Sequence, residues 1–487
     1  ARLPPLEATM EAFRRQVSGT GAKKKKPEPV TRDAYGFVVK PEHVDAYRRN
    51  APMYVTEETE RAERWDAFLS QSREEVGGDS ISGDVNTNGN AGASSTGDAF
   101  GRRTLDAVVR VLEARAVRGA EGCRVAGAET SRTIPDEERE LNALVAGGVP
   151  MALRGKCWQI FARVDERRRD GRFRRLLIDA GELEQDTDAP EDALEDSLEV
   201  VESVMASLVD GCVDEDPIPD PHSFRRVRKQ IDKDLPRTFP GHPLLDGIGR
   251  DSLRRVLVAY ARHNPAVGYC QGMNFIAALL LLMMEEEPAF WCLGALVEDI
   301  LPGYYSNTML ASAVDQAVLR SIVDERFPRV GQALEDSGTP LAAVSASWFL
   351  TLYVNQLPWE CCLRVWDVLL FERTRRILFQ AALALIDVNA KRMVEAQRLD
   401  RLMELATQMA PAQFDGSELL MVATAQFTDV TWGKIMDLYK EKHAELTSMG
   451  VDGTVNGRNN LDKSVSASPS SQLATVGSGK VGGGEGG

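Results

Sequence analysis

The chain is poor in the features that most often mark a functional site. Its seven cysteines (Cys123, Cys157, Cys212, Cys270, Cys292, Cys361 and Cys362) form no CxxC pair and no repeated spacing. That excludes a disulfide framework or a zinc ribbon and fits a reducing compartment. Five scattered histidines, none in an HExxH motif, argue against a catalytic metal. Basic charge is short as well: Lys and Arg number 58 against 73 Asp and Glu, a net charge of −15. A general nucleic-acid binder would carry the opposite balance. The longest apolar run, Phe275 to Met284, falls far short of the roughly 20 residues of a membrane span and reads as a buried core helix. The stretch GSGK, Gly477 to Lys480, has Val481 where a phosphate loop needs Ser or Thr, and no strand precedes it. Tight nucleotide binding by the chain itself is therefore not expected. No repeat of about 40 residues is sustained, which excludes a helical-repeat scaffold of the HEAT type.

What is present is helical periodicity. Between about 134 and 445 apolar residues recur at i, i+3, i+4 and i+7, as at Leu253, Val256, Leu257 and Tyr260, or in the four-residue steps of Leu310, Val314, Val318 and Ile322. Asp251 or Ser252 is available as the N-cap of the first of these helices, and Pro288 and Pro358 read as first helical residues of two others. Further helices are expected over 374–395, 398–409, 415–425 and 429–445, and no run of alternating β-branched residues stands out. The expectation is an all-α domain of many short helices over 134–445.

Around it the composition changes. Residues 1–76 hold a basic leader with KKKKPEP, Lys23 to Pro29, then DAYGFVV and a charged helical stretch around Glu57 to Gln71. The leader reads as a solvated tail, with attraction to an anionic membrane surface or nuclear import as its functional alternatives. Residues 77–98 read as a flexible Gly/Ser/Asn linker, 99–133 as a helical connector and 446–487 as a disordered tail. An acidic insert covers about 180–224.

One segment is stiff in an unusual place. In DLPRTFPGH, Asp234 to His242, Pro236 and Pro240 bracket Arg237. Proline fixes its own backbone and restricts the residue before it, so the guanidinium sits on a pre-ordered arm.

Five short patterns then follow in order: RGKCW (Arg154–Trp158), IDKDLPR (Ile231–Arg237), GYCQGMN (Gly268–Asn274), SASWFLTLY (Ser345–Tyr353) and LRVWDVLL (Leu363–Leu370). Together they resemble the TBC domain of Rab GTPase-activating proteins, in which RGxxW, IxxDxxR, YxQ, SxxWF and an RxWD-type helix occur in this order. The likeness covers roughly 145–375 firmly. DAYGFVV followed by Trp65 also resembles a segment preceding the domain in some members, including growth-hormone-regulated ones. The resemblance implies a two-lobed helical fold and activation of GTP hydrolysis by a GTP-bound Rab in vesicle trafficking and intracellular protein transport. It implies a cytoplasmic protein, peripheral association with endomembranes, no nucleic acid, and no cofactor of its own, GTP and Mg²⁺ being held by the partner. Arg237 and Gln271 are the two residues it implies as catalytic in trans.

Phosphoryl transfer to water spreads charge over the phosphoryl oxygens and needs the water held in line. Arginine stays charged and offers a planar fork to phosphate, and a carboxamide can both donate to and accept from a water. Asp234 is expected to orient Arg237 by pairing with it or by capping the local backbone. Arg154, Tyr269, Ile231 and Gly272 are supporting candidates, with Gly268 and Gly272 allowing a partner's backbone to approach. Trp158, Trp348 and Trp366 read as core anchors and Cys270 as a small buried thiol. The rival of another class is a non-catalytic Rab-binding scaffold using the same groove; loss of Arg237 or Gln271 would mark it, and neither is lost. Where many relatives have glycine after the RxWD helix, this chain has FERT, Phe371 to Thr374.

Overall fold

Proline begins many of the helices. Pro135, Pro150, Pro340 and Pro358 each occupy the N-cap, with ψ between 131° and 149°, ahead of helices that open one residue later. The fixed φ suits a chain turning into a helix, and the missing N–H removes a donor that has no partner there. The protein, a computed structural model, is described over residues 31–74, 105, 108–114, 135–183, 221–306, 308–396 and 398–448. Among these there is no named strand and a single isolated antiparallel bridge, Arg32 to Val38.

The long helix α1 (Val44–Glu74) comes first. A first group follows: α2 (Asp136–Gly147), α3 (Met151–Phe161), α4 (Val164–Arg167), α5 (Arg172–Asp179), α6 (Pro221–Asp234), α7 (Ile248–His263), α8 (Met273–Met283) and α9 (Glu286–Gly294). The second group is α10 (Leu310–Arg326), α11 (Pro328–Asp336), α12 (Leu341–Leu350), α13 (Trp359–Glu372), α14 (Arg376–Ala396), α15 (Leu399–Met409), α16 (Gly416–Met421) and α17 (Trp432–Ser448). Helices α5, α6, α8 and α9 pack around α7, whereas α10 and α14 are the hubs of the second group. Helix α13 joins the two lobes by packing on α2 and α3 as well as on α14.

The joint explains two of the sequence motifs. Asp367 on α13 is fully buried and accepts from Arg154 Nε at 3.0 Å and Nη2 at 3.2 Å, from Trp158 Nε1 at 2.7 Å and from the Val149 N–H at 2.9 Å. RGKCW and LRVWDVLL are thus two halves of one buried lock. Gly155 completes it: a Cβ there would lie 2.1 Å from the Met283 carbonyl oxygen, so α3 and α8 meet at backbone distance.

Several boundaries differ from expectation. Helix α7 begins at Ile248 behind Gly247, so Asp251 lies in its first turn and Ser252 bonds back to the Ile248 carbonyl rather than capping. Pro288 is the third residue of α9, and Pro358 is an N-cap. Helix α1 starts well before Glu57 and runs through Pro52. Pro221 to Phe224, read with the acidic insert, belong to α6. Helix α13 ends on Arg373 in the left-handed conformation, φ 53°, where glycine would cost least. Arg373 is held there by bonds to the Phe161 carbonyl and Asp299. The leader, the 77–98 linker, most of the acidic insert and nearly all of the expected tail lie outside the described residues.

Candidate functional site

Helix α6 leads to the first candidate residue. Its inner face carries Phe224, Val227 and Ile231, the last fully buried. Pro236 has no N–H to continue the ladder, and the chain tightens into a 3₁₀ turn, Leu235–Arg237. Leu235 points inward, and Arg237 is exposed. Two residues on, Phe239 takes φ 45°, a costly backbone for an aromatic residue. Its ring is fixed by Phe37 at 4.9 Å, Phe275 at 5.3 Å and Trp359 at 5.3 Å between centroids.

Gln271 ends the loop that follows α7, immediately before Gly272, the N-cap of α8, and it too is exposed. Gly272 has φ 110°, and a Cβ would sit 3.3 Å from the Leu350 carbonyl oxygen. The residue serves an internal turn and a close contact with α12. The expected approach of a partner's backbone is not what requires glycine at this position.

Two hydrogen-bonded links tie the loops together. Asn274 Nδ2 donates to Thr238 Oγ1 at 2.7 Å while its Oδ1 accepts from the Gly272 N–H at 3.0 Å, so one buried carboxamide bridges the residue after Arg237 to the residue after Gln271. Thr238 also donates to the Asp234 carbonyl at 2.9 Å. The second link is Tyr269, whose hydroxyl donates to Asp234 Oδ2 at 2.9 Å. Burial, then the Asp234 charge and this bond, push the Tyr269 pKa well above its ordinary value, so the phenol stays a donor.

Asp234 therefore does not pair with Arg237. It is 3% exposed and receives Tyr269 and Gln230, because the end of α6 turns its side chain inward while Arg237 lies beyond the turn. Arg154 is likewise not part of this network, since its guanidinium is committed to Asp367. Neither the Arg237 guanidinium nor the Gln271 carboxamide has a hydrogen-bond or ion-pair partner among the described residues. Cys270 is half-buried, and burial raises its pKa, which favours the thiol over the reactive thiolate. Trp158, Trp348 and Trp366 are buried, at 2% exposure or less. Thr238, Asn274 and Phe239 were not singled out from the sequence. The only available signal for Asn274 was its place at the end of GYCQGMN.

A cavity of about 980 Å³ lies to one side, walled by Tyr35, Tyr54, Met151, Leu357 and Phe414; neither Arg237 nor Gln271 lines it. No group of three or more His, Cys, Asp or Glu that could hold a metal occurs among the described residues. No helix among them is long and apolar enough to cross a membrane.

Residues 213–394 match the family model of the Rab-GTPase-TBC domain. TBC1 domain family member 2A of Homo sapiens is 44% identical over 174 residues, covering 35% of this chain and 19% of the relative. Growth hormone-regulated TBC protein 1-A of Danio rerio is 42% identical over 189 residues, 37% of this chain and 52% of the relative. The chain thus spans about half the length of the second and under a fifth of the first. Among solved structures, the Chlamydomonas flagellar RabGAP TBC domain is similar with 25% identity and a TM-score of 0.48, covering 68% of this chain and 96% of that one. The ordered motifs, the all-α architecture and the family match agree over residues 213–394, which match the Rab-GTPase-TBC domain.

Proposed function

We propose that the protein accelerates GTP hydrolysis by a GTP-bound Rab-family GTPase, inserting Arg237 and Gln271 into the partner's active site. The observation that carries this reading is that two exposed side chains, without partners among the described residues, sit on loops joined through Thr238, Asn274 and Gly272. A guanidinium unpaired among the described residues is free to meet phosphoryl oxygens, and its 3₁₀ turn and Pro236 limit the freedom lost on docking. A neutral carboxamide on the linked loop orients the attacking water without adding charge. Asp234 and Tyr269 hold the two loops in register from below. GTP and Mg²⁺ belong to the partner, and the work is done at the surface of a membrane that carries the Rab.

The test is single-turnover phosphate release from a panel of GTP-loaded Rabs. Arg237→Ala is expected to lower the acceleration by about 10³-fold or more while the thermal unfolding midpoint stays at the wild-type value. Unchanged acceleration in Arg237→Ala defeats the reading. Binding to GTP-loaded Rabs with no faster release, in the wild type, would establish a scaffold instead.

A further inference from the structure

The segment before α1 reaches the candidate site. Asp33 Oδ1 accepts from the N–H groups of Tyr35 at 3.0 Å and Phe37 at 2.9 Å, and Arg32 donates to the Gly36 carbonyl at 2.8 Å. These bonds close DAYGFV into a tight turn that sends Tyr35 and Phe37 into the domain. The Tyr35 hydroxyl donates to Glu360 Oε2 at 2.5 Å, and the Phe37 ring stacks on Trp359 with centroids 3.7 Å apart and an interplanar angle of 16°. Phe37 also meets Phe239 edge-on, and His242 Nε2 lies 3.0 Å from the Tyr35 carbonyl oxygen. Because the Leu244 N–H donates to His242 Nδ1, the proton of a neutral ring is on Nε2, which donates to Tyr35.

The turn thus grips both ends of the loop that follows Arg237: Phe239, in its left-handed conformation, by ring contact, and His242 by hydrogen bond. Phe239 has a mainly aromatic setting, and one of its three aromatic walls is a residue about 200 positions earlier in the chain. Without Phe37 the φ of Phe239 is held by two rings instead of three, and the turn carrying Arg237 is free to relax.

We propose that the turn Asp33–Val38 is a positioning element for Arg237, with Phe37 as its principal residue. The inference rests on the function proposed above and deepens it. Phe37 touches no substrate; it acts through Phe239 and the loop to His242. Misplacing a catalytic group by about 1 Å costs on the order of 100-fold in rate.

The test compares wild type, Phe37→Ala, Phe37→Leu and Tyr54→Phe in the full chain. Tyr54 anchors α1 by donating to the Phe414 carbonyl at 2.6 Å, and its substitution loosens the same N-terminal segment through a bond that does not involve Phe37 or Phe239. Maximal accelerated hydrolysis and the KM for the Rab found by panel screening are measured, together with hydrogen exchange of the amides over 238–245. Phe37→Ala is expected to lower the maximal rate by about 10- to 100-fold, with KM changed less than about 3-fold and faster exchange over 238–245. Phe37→Leu should recover part of both, and Tyr54→Phe should keep the wild-type rate. A Phe37→Ala protein with the wild-type maximal rate overturns the proposal, as does an equal loss in Tyr54→Phe. If the wild type accelerates no Rab, the functional reading fails and takes the catalytic half of this inference with it. Exchange then decides the remainder: unchanged protection over 238–245 in Phe37→Ala overturns the clamp as well.

Discussion

Asn274 shows how much a single buried carboxamide can hold. Substitution by alanine leaves the Gly272 N–H without its acceptor and takes one bond from the Thr238 hydroxyl, which keeps its bond to the Asp234 carbonyl. Leaving the buried N–H unsatisfied costs about 1–3 kcal/mol. Asn274→Ala is therefore expected to lower unfolding stability in urea by a few kcal/mol and to lower accelerated phosphate release even where the protein is fully folded. Arg154 predicts the opposite pattern. Its loss strands Asp367 in the joint between lobes, at a cost of about 3–5 kcal/mol, while the molecules that remain folded keep their activity. Denaturation curves paired with activity per folded molecule separate the two. The ordered motifs singled out Arg237 and Gln271 together, and both side chains are exposed. Their support was not legible, because a hydrogen bond between Thr238 and Asn274 leaves no periodic mark in a sequence. The same limit explains Asp234 and Arg154: spacing placed each near a motif, and only packing decided which partner each received.

At the scale of elements, helix identity was the legible part and helix ends the weaker one. The faces of α7 and α10 follow the apolar spacing, and Val256, Leu257, Val314 and Val318 are all buried. The start of α7 was missed because Gly247, with φ 68°, turns the chain without a side-chain cap. The turn Asp33–Val38 was noticed only as a likeness, since its partners are hundreds of residues away. It carries a pH signature through His242, whose pKa burial lowers to about 4, helped by Arg32 and opposed by the Tyr35 carbonyl and Asp246. A histidine that resists protonation in the fold leaves the unfolded chain with more bound protons between about pH 4 and 6.5, so its contribution to stability falls as pH drops through that window. The stability advantage of wild type over His242→Gln, measured by denaturation, should shrink from pH 7 to pH 4. An advantage that is flat with pH would show that the ring is not held neutral.

For the whole molecule, α1 ties distant parts of the chain together. Trp65 Nε1 donates to the Gly148 carbonyl, Arg61 pairs with Glu360 at 2.9 Å, and Glu57 accepts from Ser417 at 2.7 Å. Removing residues 1–74 would uncover Trp359 and leave Glu360 without Arg61 and Tyr35. The shortened protein is expected to melt at lower temperature and to aggregate on warming, as followed by light scattering during a thermal scan. The lobed helical architecture was legible from periodicity and motif order; the embrace by the N-terminal segment was not, because α1 reads as a charged helix with few apolar positions. That embrace also sets a timetable for synthesis. Trp65 leaves the ribosome about 350 residues before Ser417, and at about 5–20 residues per second the first helix waits roughly 20–70 s for the last part of its berth. In that interval Arg61 waits for Glu360 and Glu57 for Ser417, so the first helix stays open on that side until the second group of helices has been made.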